Sequence, residues 1–275
     1  MMETKLSWSV PKFRDIVAPK PILDRQPHMT STYHLTDVVD GVCFVQGPLS
    51  NWVILYDDNE ASLIDTGYPG DFEDLRASLQ QLGRQLTGVT RVFITHAHTD
   101  HIGSAERLRR DYGATVYCLA EEAAHARREE NHQVTVEEVT RHTHIPEVRD
   151  WLTAALAAGG IDDVAIGEVQ IVEEGVPGSG PMQPSPIRVP GHTPGNAVYL
   201  LAGTRILASG DSIVAGHPTS TRGGPQMLDR MFHDNFEAAS RNLDLLAGLG
   251  VDIVLPGHGP LLRLPIGMAI AAVRA

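Results

Sequence analysis

Apolar positions along this chain follow two spacings, and each spacing predicts a different kind of element. Short apolar or β-branched runs bounded by turn residues are typical of strands. Other stretches place apolar residues three or four apart, as on one face of a helix. Strands are predicted over 42–46, 52–56, 61–64, 91–95, 115–119, 169–172, 187–189, 197–201, 205–208 and 252–255. Helices are predicted over 71–82, 104–112 and 235–247, with Asp71 able to cap the first and Gly83 and Gly113 able to end the first two.

Residues 120–158 interrupt this mixture of strands and helices. The stretch is rich in Ala and Glu and holds no convincing strand. Five of its apolar residues form one helical stripe. They are Val148, Trp151, Leu152, Ala155 and Leu156. We therefore interpret 120–158 as a helical insertion and call it the cap segment.

The rest of the pattern predicts the domain organisation. Residues 1–30 are rich in proline and charge and show no clear period, which indicates an extended N-terminal arm. A single domain is predicted over 31–275. Sheets covered by outer helices bury both the apolar strand faces and the apolar helix stripes. The pattern alone therefore predicts a layered α/β or α+β fold.

The composition narrows the choice of partner. The chain has 22 Lys and Arg against 34 Asp and Glu, a formal net charge of −12, and no basic run. Such a surface repels phosphate backbones. We expect a small-molecule substrate and no nucleic-acid partner, and leave homo-oligomer formation open.

Three features predict a cytoplasmic protein that does not bind membranes. The first residues lack the apolar core of a signal peptide. No apolar stretch is long enough to cross a bilayer. Cys43 and Cys118 lie in apolar runs, where we expect buried, reduced thiols rather than a disulfide.

Several apolar runs end in a side chain that can bind a metal ion. A functional group placed where a strand meets its loop has a rigid base and access to solvent. These side chains are Asp65, the group that begins at His96, His192, Asp211 and His258. A single His or Asp after glycine is usually a turn residue, so each alone carries little weight.

The run His-Ala-His-Thr-Asp-His, which begins at His96, is far more specific. Three histidines and an aspartate this close repel their like-charged neighbours when ionised and have no packing reason to coexist. In a loop that turns into a helix, His96 and His98 can serve one metal ion, and Asp100 and His101 a second. Imidazole and carboxylate suit zinc, and also iron or manganese.

Five motifs in order are similar to those of the metallo-β-lactamase superfamily. They are Leu63-Ile64-Asp65-Thr66-Gly67, His96-Ala97-His98-Thr99-Asp100-His101, Gly191-His192-Thr193-Pro194-Gly195, Ser209-Gly210-Asp211 and Pro256-Gly257-His258-Gly259. The resemblance runs from about 40 to 260. It implies a four-layer αβ/βα sandwich of two mixed β-sheets with helices outside and the metals at one edge.

The resemblance also implies a role for each residue. One metal ion would be held by His96, His98 and His192, the other by Asp100, His101 and His258, with Asp211 bridging both. Two Zn²⁺ ions are expected, with iron or manganese able to replace either. Asp65 resembles an acid that orients a ligand imidazole by accepting its free N–H.

Departures from the family pattern favour one branch of it. True β-lactamases usually carry a different residue where His101 stands, and often a cysteine in place of Asp211. The chain therefore resembles the hydrolase branch that contains glyoxalase II, lactonases and other esterases. Flavin-linked diiron relatives have an acid at the position of His98, which counts against them.

The expected reaction is hydrolysis of an ester, thioester or lactone by a hydroxide held between the two metals. Asp100 would steer this nucleophile or relay its proton. Two alternatives remain: a mononuclear iron enzyme that resembles persulfide dioxygenases, and a binding module that has lost turnover.

The substrate pocket is expected between the cap segment and the loop that follows the bridging aspartate. Met227, Met231 and Phe232 would form an adaptable apolar wall. We expect the cap segment to cover the metal edge, anchored by Trp151, and the metal site to form without it. Surface or helix-end positions are expected for the remaining histidines that stand out, which are His142, His144, His217 and His233.

Overall fold

The computed structural model describes residues 33–275, so the predicted arm over 1–30 lies outside the described residues. The strands are β1 His34–Val39, β2 Val42–Gln46, β3 Asn51–Tyr56, β4 Ala61–Ile64, β5 Val89–Phe93, β6 Thr115–Cys118, β7 Gln170–Ile171, β8 Ser185–Arg188, β9 Ala197–Leu200, β10 Ile206–Gly210, β11 Ile253–Pro256 and β12 Leu262–Arg263. The α-helices are α1 Phe72–Gln81, α2 Thr99–Ile102, α3 Ala105–Tyr112, α4 Ala123–Ala126, α5 Val136–Thr140, α6 Pro146–Ala157, α7 Phe236–Asn242 and α8 Ile266–Val273.

Two mixed β-sheets are built from these strands. The first has the order β1-β2-β3-β4-β5-β6-β7, antiparallel from β1 to β4 and parallel from β4 to β7. The second has the order β12-β11-β10-β9-β8, in which β10 and β11 are the parallel pair. Parallel neighbours need a crossover connection, and α1 and α3 supply two of them.

Side chains on the two faces of β2 show how the layers are stacked. Val42 and Phe44 belong to an apolar cluster that also contains Tyr199 of the second sheet, so this cluster lies between the sheets. Cys43 and Val45 belong to a second cluster, which packs under α1 and α3. Strands buried on both faces read as continuous apolar runs, which explains the hydropathy of β2.

The outer face of the second sheet is covered in the same way. Leu207 and Val254 of this sheet pack against Ile266 and Ile270 of α8. The layers therefore run helix, sheet, sheet, helix, and the predicted four-layer sandwich of two mixed sheets is confirmed. Both cysteines are buried and free.

The helices depart from the predicted pattern in three places. Helix α8 is apolar along most of its length and has no polar face. The sequence therefore shows no alternation of apolar and polar residues at helical spacing there. The helix predicted over 235–247 is divided into α7 and a 3-10 turn over Leu243–Leu246. Asp71 does not cap α1 with its side chain, because its carboxylate accepts the backbone N–H of Tyr68 instead. Within residues 33–275, no helix is long and apolar enough to cross a membrane.

Candidate metal centre

The predicted ligands follow the C-terminal ends of strands. The run that begins at His96 follows β5, His192 follows β8, Asp211 follows β10 and His258 follows β11. Strands β10 and β11 are parallel, and β8 runs in the same direction because two antiparallel pairings separate it from β10. The ends of these strands therefore meet at one edge of the sandwich, where loop side chains have a rigid base.

Seven side chains converge at this edge in two groups. The first group is His96, His98, His192 and Asp211, and the second is Asp100, His101 and His258. Within each group all ligand atoms lie within 4.8 Å of one another. His192 Nε2 lies 3.1 Å from both His96 Nε2 and His98 Nδ1. The structure thus brings together every residue that the resemblance implies, and metal binding by them stays a prediction.

The Asp211 carboxylate lies between the two groups. Its Oδ2 is 3.4 Å from His192 Nε2 in the first group and 3.4 Å from His258 Nε2 in the second. Its Oδ1 is 3.4 Å from His101 Nε2, also in the second group. This is the position that a bridging ligand requires.

All five imidazoles present one nitrogen to the centre and have the other held by a protein group outside it. The outer contacts are His96 to Thr95 Oγ1 (3.0 Å), His98 to the His132 carbonyl (3.2 Å), His101 to Asp65 Oδ2 (2.9 Å), His192 to His233 Nδ1 (3.3 Å) and His258 to the Leu49 carbonyl (2.7 Å). When the outer nitrogen donates its hydrogen, the inner nitrogen of a neutral ring keeps a lone pair for a metal ion.

The inner atoms are poorly satisfied by the protein itself. His101 Nε2 and Asp211 Oδ1 are buried and have no hydrogen-bond partner among the described residues. A buried polar atom left unpaired costs about 1–3 kcal/mol, and converging lone pairs repel. Cations would remove both penalties. Five imidazoles and two carboxylates, without a thiolate, fit zinc and also iron or manganese, so the residues present fit a pair of metal ions.

The pKa values of imidazoles shift in opposite directions in the two groups. Burial and neighbouring imidazoles hold the pKa of both His96 and His98 well below its usual value. Burial also lowers the pKa of His258, but the Asp211 and Asp100 carboxylates outweigh it and raise this pKa to about 10. The second group therefore attracts positive charge, which a metal ion can supply in place of protons.

Asp65 connects two of the ligand rings. It has a left-handed backbone, φ 61°, at the end of β4. Its carboxylate accepts the backbone N–H of Thr95 at 2.8 Å, the Thr95 hydroxyl at 2.7 Å and the His101 Nδ1–H at 2.9 Å. It therefore orients His101 directly and His96 through Thr95.

Glu122 joins the first two ligand loops, and nothing in the sequence singled it out. Its buried carboxylate accepts the Ala97 backbone N–H at 2.7 Å, the Thr193 hydroxyl at 2.7 Å and the Gly195 backbone N–H at 3.0 Å. His125 Nδ1 lies 3.1 Å from the same carboxylate. Ala97 lies between two ligands and Thr193 follows a third, so one carboxylate holds both loops together.

Two further side chains of the cap segment support the same loop. Arg128 donates to the Ala97 carbonyl at 2.7 Å. Gln133 Oε1 accepts the backbone N–H of Thr99 at 3.0 Å and its hydroxyl at 2.8 Å. Residues 122–133 therefore supply hydrogen bonds that shape the ligand loop, which counts against the expectation that the metal site forms without the cap segment.

A cavity of about 450 Å³ opens over the two ligand groups. Helices α5 and α6 of the cap segment line it with Val139, Trp151 and Ala155. Leu228 and Phe232 line it from the loop after β10. The later part of the cap segment thus covers the metal edge, as expected, and forms an apolar wall above it.

The predicted apolar wall is only partly correct. Phe232 lines the cavity, and its ring packs 5.3 Å from that of Trp151. Met227 packs in the core of the second sheet instead, because its side chain turns away from the cavity. Met231 is partly buried beside Phe232 but does not line the cavity. Leu228 occupies the wall in their place.

The histidines outside the ligand set divide into two kinds. His142 and His144 are exposed, as expected. The surface or helix-end position expected for His217 is wrong, whereas His233 lies at the end of a 3-10 turn over Arg230–Phe232, as expected. His233 contacts His192 from behind, and its other nitrogen donates to the Leu228 carbonyl at 3.3 Å. His217 is buried in the cavity wall, and burial lowers its pKa to about 3.

Fold and site together define a protein with a four-layer αβ/βα sandwich and a two-group histidine and aspartate centre at one edge. The family model described as the metallo-β-lactamase superfamily matches residues 46–258. The chain therefore belongs to the metallo-β-lactamase superfamily.

Curated relatives come from Bacillus subtilis (strain 168). YobT is 25% identical over 230 residues, covering 78% of this chain and 85% of its own. YqgX, a probable metallo-hydrolase, is 24% identical over 224 residues, covering 78% of this chain and 87% of its own.

Solved structures show the same fold. A metallo-β-lactamase family protein from Thermus thermophilus, TTHA1429, has a TM-score of 0.62 at 19% identity, covering 86% of this chain and 78% of its own. BJP-1, a subclass B3 metallo-β-lactamase of Bradyrhizobium japonicum, has a TM-score of 0.61 at 15% identity, covering 89% and 92%.

Proposed function

We propose that this protein is a dinuclear metal-dependent hydrolase that cleaves an ester, thioester or lactone bond of a small molecule. One observation carries the proposal. Five imidazoles have their outer nitrogens held by protein groups while their inner nitrogens converge with two carboxylates on two neighbouring points. The relative YqgX, named as a probable metallo-hydrolase, supports it.

The seven ligands would hold two ions, zinc by preference, with iron or manganese as substitutes. Bound ions lower the pKa of water to about 7 and polarise the carbonyl and leaving oxygens of a substrate. We assign the carbonyl side to the three-imidazole group and the leaving-group side to the group of Asp100, His101 and His258. Asp100 borders the cavity and its side chain is 15% exposed, so we assign it the proton of the attacking water.

The cavity wall supports a substrate with a neutral, apolar acyl group. Outside the ligands, the charged residues that line the cavity are Arg128 and Asp162. The Arg128 guanidinium is engaged by the carbonyls of Ala97 and His125, and Asp162 is exposed at the rim. Among the described residues, no unpaired cationic side chain therefore lines the cavity to bind an anionic group of the substrate. Apolar contacts with the cap segment would select the substrate.

Metal analysis after gentle purification tests the proposal. We expect about two ions per chain and turnover of simple aryl esters, thioesters or lactones. Asp211→Ala removes the ligand between the groups, so it should lower metal content and abolish turnover. Asp150→Ala, on the exposed face of α6, is the matched control and should change neither.

Three results would contradict the proposal, and two of them would indicate a different function. A folded protein that holds no metal, even after zinc is added, removes its basis. Iron as the main native metal, with oxygen uptake in the presence of a persulfide, would indicate the dioxygenase. A zinc-loaded protein without turnover on any of the three substrate classes would indicate a binding module.

A further inference from the structure

We infer that the Nε2–H group of His217 donates a hydrogen bond to the leaving-group oxygen of the substrate. The inference rests on the hydrolysis proposed above. His217 lies in the loop that follows β10, six residues after Asp211. Its side chain is buried, with 8% of the residue exposed, yet it forms part of the cavity wall.

Local hydrogen bonds set the tautomer of this ring. The backbone N–H of Thr219 donates to His217 Nδ1 at 3.3 Å, and the Thr219 hydroxyl lies 2.7 Å from the same nitrogen. A backbone N–H can only donate, so Nδ1 must carry the lone pair. The single hydrogen of the neutral ring is therefore on Nε2.

Nε2 has no hydrogen-bond partner among the described residues, although it is not sealed from the cavity. The ring is surrounded by other rings, with centroids 5.4 Å away for Trp151, 5.3 Å for Phe232 and 4.9 Å for His258. An unpaired N–H donor in such a wall costs free energy of stabilisation unless a group in the cavity accepts its hydrogen bond. A substrate oxygen meets that requirement.

The neighbour of His217 indicates which oxygen this is. His258 belongs to the group that we assign to the leaving oxygen, whereas the three-imidazole group is assigned to the carbonyl. As the bond from acyl carbon to oxygen breaks, its electron pair moves to the leaving oxygen. A fixed N–H stabilises that charge. His217 keeps its hydrogen throughout, so it acts as a donor and not as an acid, and the leaving oxygen takes the proton that Asp100 accepts from the attacking water.

Two substitutions separate this role from packing. His217→Phe fills the ring volume without a donor, and His217→Gln places an amide N–H near the position of Nε2. The probes are ethyl butyrate, a poor leaving group, and p-nitrophenyl butyrate, a good one. His217→Phe should lower kcat/KM for ethyl butyrate by about 100-fold and for the nitrophenyl ester much less. His217→Gln should recover part of the loss.

Two measurements do not depend on turnover. Metal content should remain at the wild-type value in both variants and in the exposed control His142→Phe. Ring-¹⁵N spectra of histidine-labelled, zinc-free protein should show His217 protonated on Nε2 and unprotonated on Nδ1.

The outcomes distinguish failure of the inference from failure of the proposed function. Equal losses on both esters, loss of metal, or the opposite tautomer overturn the inference and leave the hydrolase intact. A wild-type, metal-loaded protein that cleaves neither ester nor any thioester or lactone overturns both.

Discussion

Replacing Glu122 by glutamine tests whether its carboxylate holds the two ligand loops together. The carboxylate accepts from four donors, and the two backbone N–H groups, of Ala97 and Gly195, cannot turn away. In Glu122→Gln, one oxygen becomes an NH₂ group, so at least one of these buried N–H groups loses its acceptor. That loss costs about 2 kcal/mol. The bonds that remain lose their charge assistance, which costs roughly 1 kcal/mol more.

The expected result is a decrease of about 3 kcal/mol in the free energy of unfolding, measured by urea denaturation of zinc-free protein. The Glu122 carboxylate also positions the loops of three ligands. Zinc affinity should therefore fall by about 10- to 100-fold, measured by competition with a chromophoric chelator. Glu121→Gln is the matched control. It alters an exposed surface contact with Arg188 and should change stability by less than about 0.5 kcal/mol.

The difference in free energy of unfolding between wild type and Glu122→Gln should depend on pH. Burial raises the pKa of Glu122, but hydrogen bonds from His125, Thr193 and Ala97 outweigh it and hold the pKa below its usual value. The stabilisation is therefore complete above about pH 4.5, and the difference between wild type and Glu122→Gln should shrink as the pH falls through the lowered pKa. If Glu122→Gln matches the Glu121→Gln control in stability and zinc affinity, the Glu122 carboxylate does not hold the two ligand loops together.

Three further predictions address the cap, a buried acid and the metal. Trp151→Ala should cost about 3 kcal/mol, because the side chain is buried against Phe232, while metal content stays normal; loss of metal in this variant would contradict it. Burial raises the pKa of Asp71 from 3.8 to about 6, so the fold loses stability as the pH rises from about 4 to about 6, and the full penalty is present above pH 6. Asp71→Asn should therefore be more stable than wild type at pH 8, by up to about 3 kcal/mol, and no more stable at pH 4; denaturation at the two pH values decides. Chelation should lower the unfolding midpoint, since ions that bind the folded state stabilise it, and an unchanged midpoint would count against resident metal.

Runs and spacings of apolar residues predicted most elements, because burial of both faces of a strand gives a continuous apolar run and burial of one face of a helix gives a helical period. Strands such as β2 and helices such as α3 carry their own pattern, and Gly113 ends α3 with a left-handed backbone, φ 79°. Helix α8 was missed because it is apolar nearly all round, so no period distinguishes its two faces. The position of Met227 was wrong because an apolar side chain fits a core and a cavity wall equally well.

The sequence by itself predicted the candidate metal centre, because the run from His96 to His101 places its potential donors within one short loop whatever surrounds it. Only the tertiary structure decided what holds those donors. Glu122 is 25 residues from Ala97 and 73 from Gly195, and the ring of His217 packs against Trp151 of α6 and against His258, which follows β11. Hydrogen bonds act over about 3 Å. The partners of a buried polar group therefore follow from how distant segments pack, which local composition and spacing do not encode.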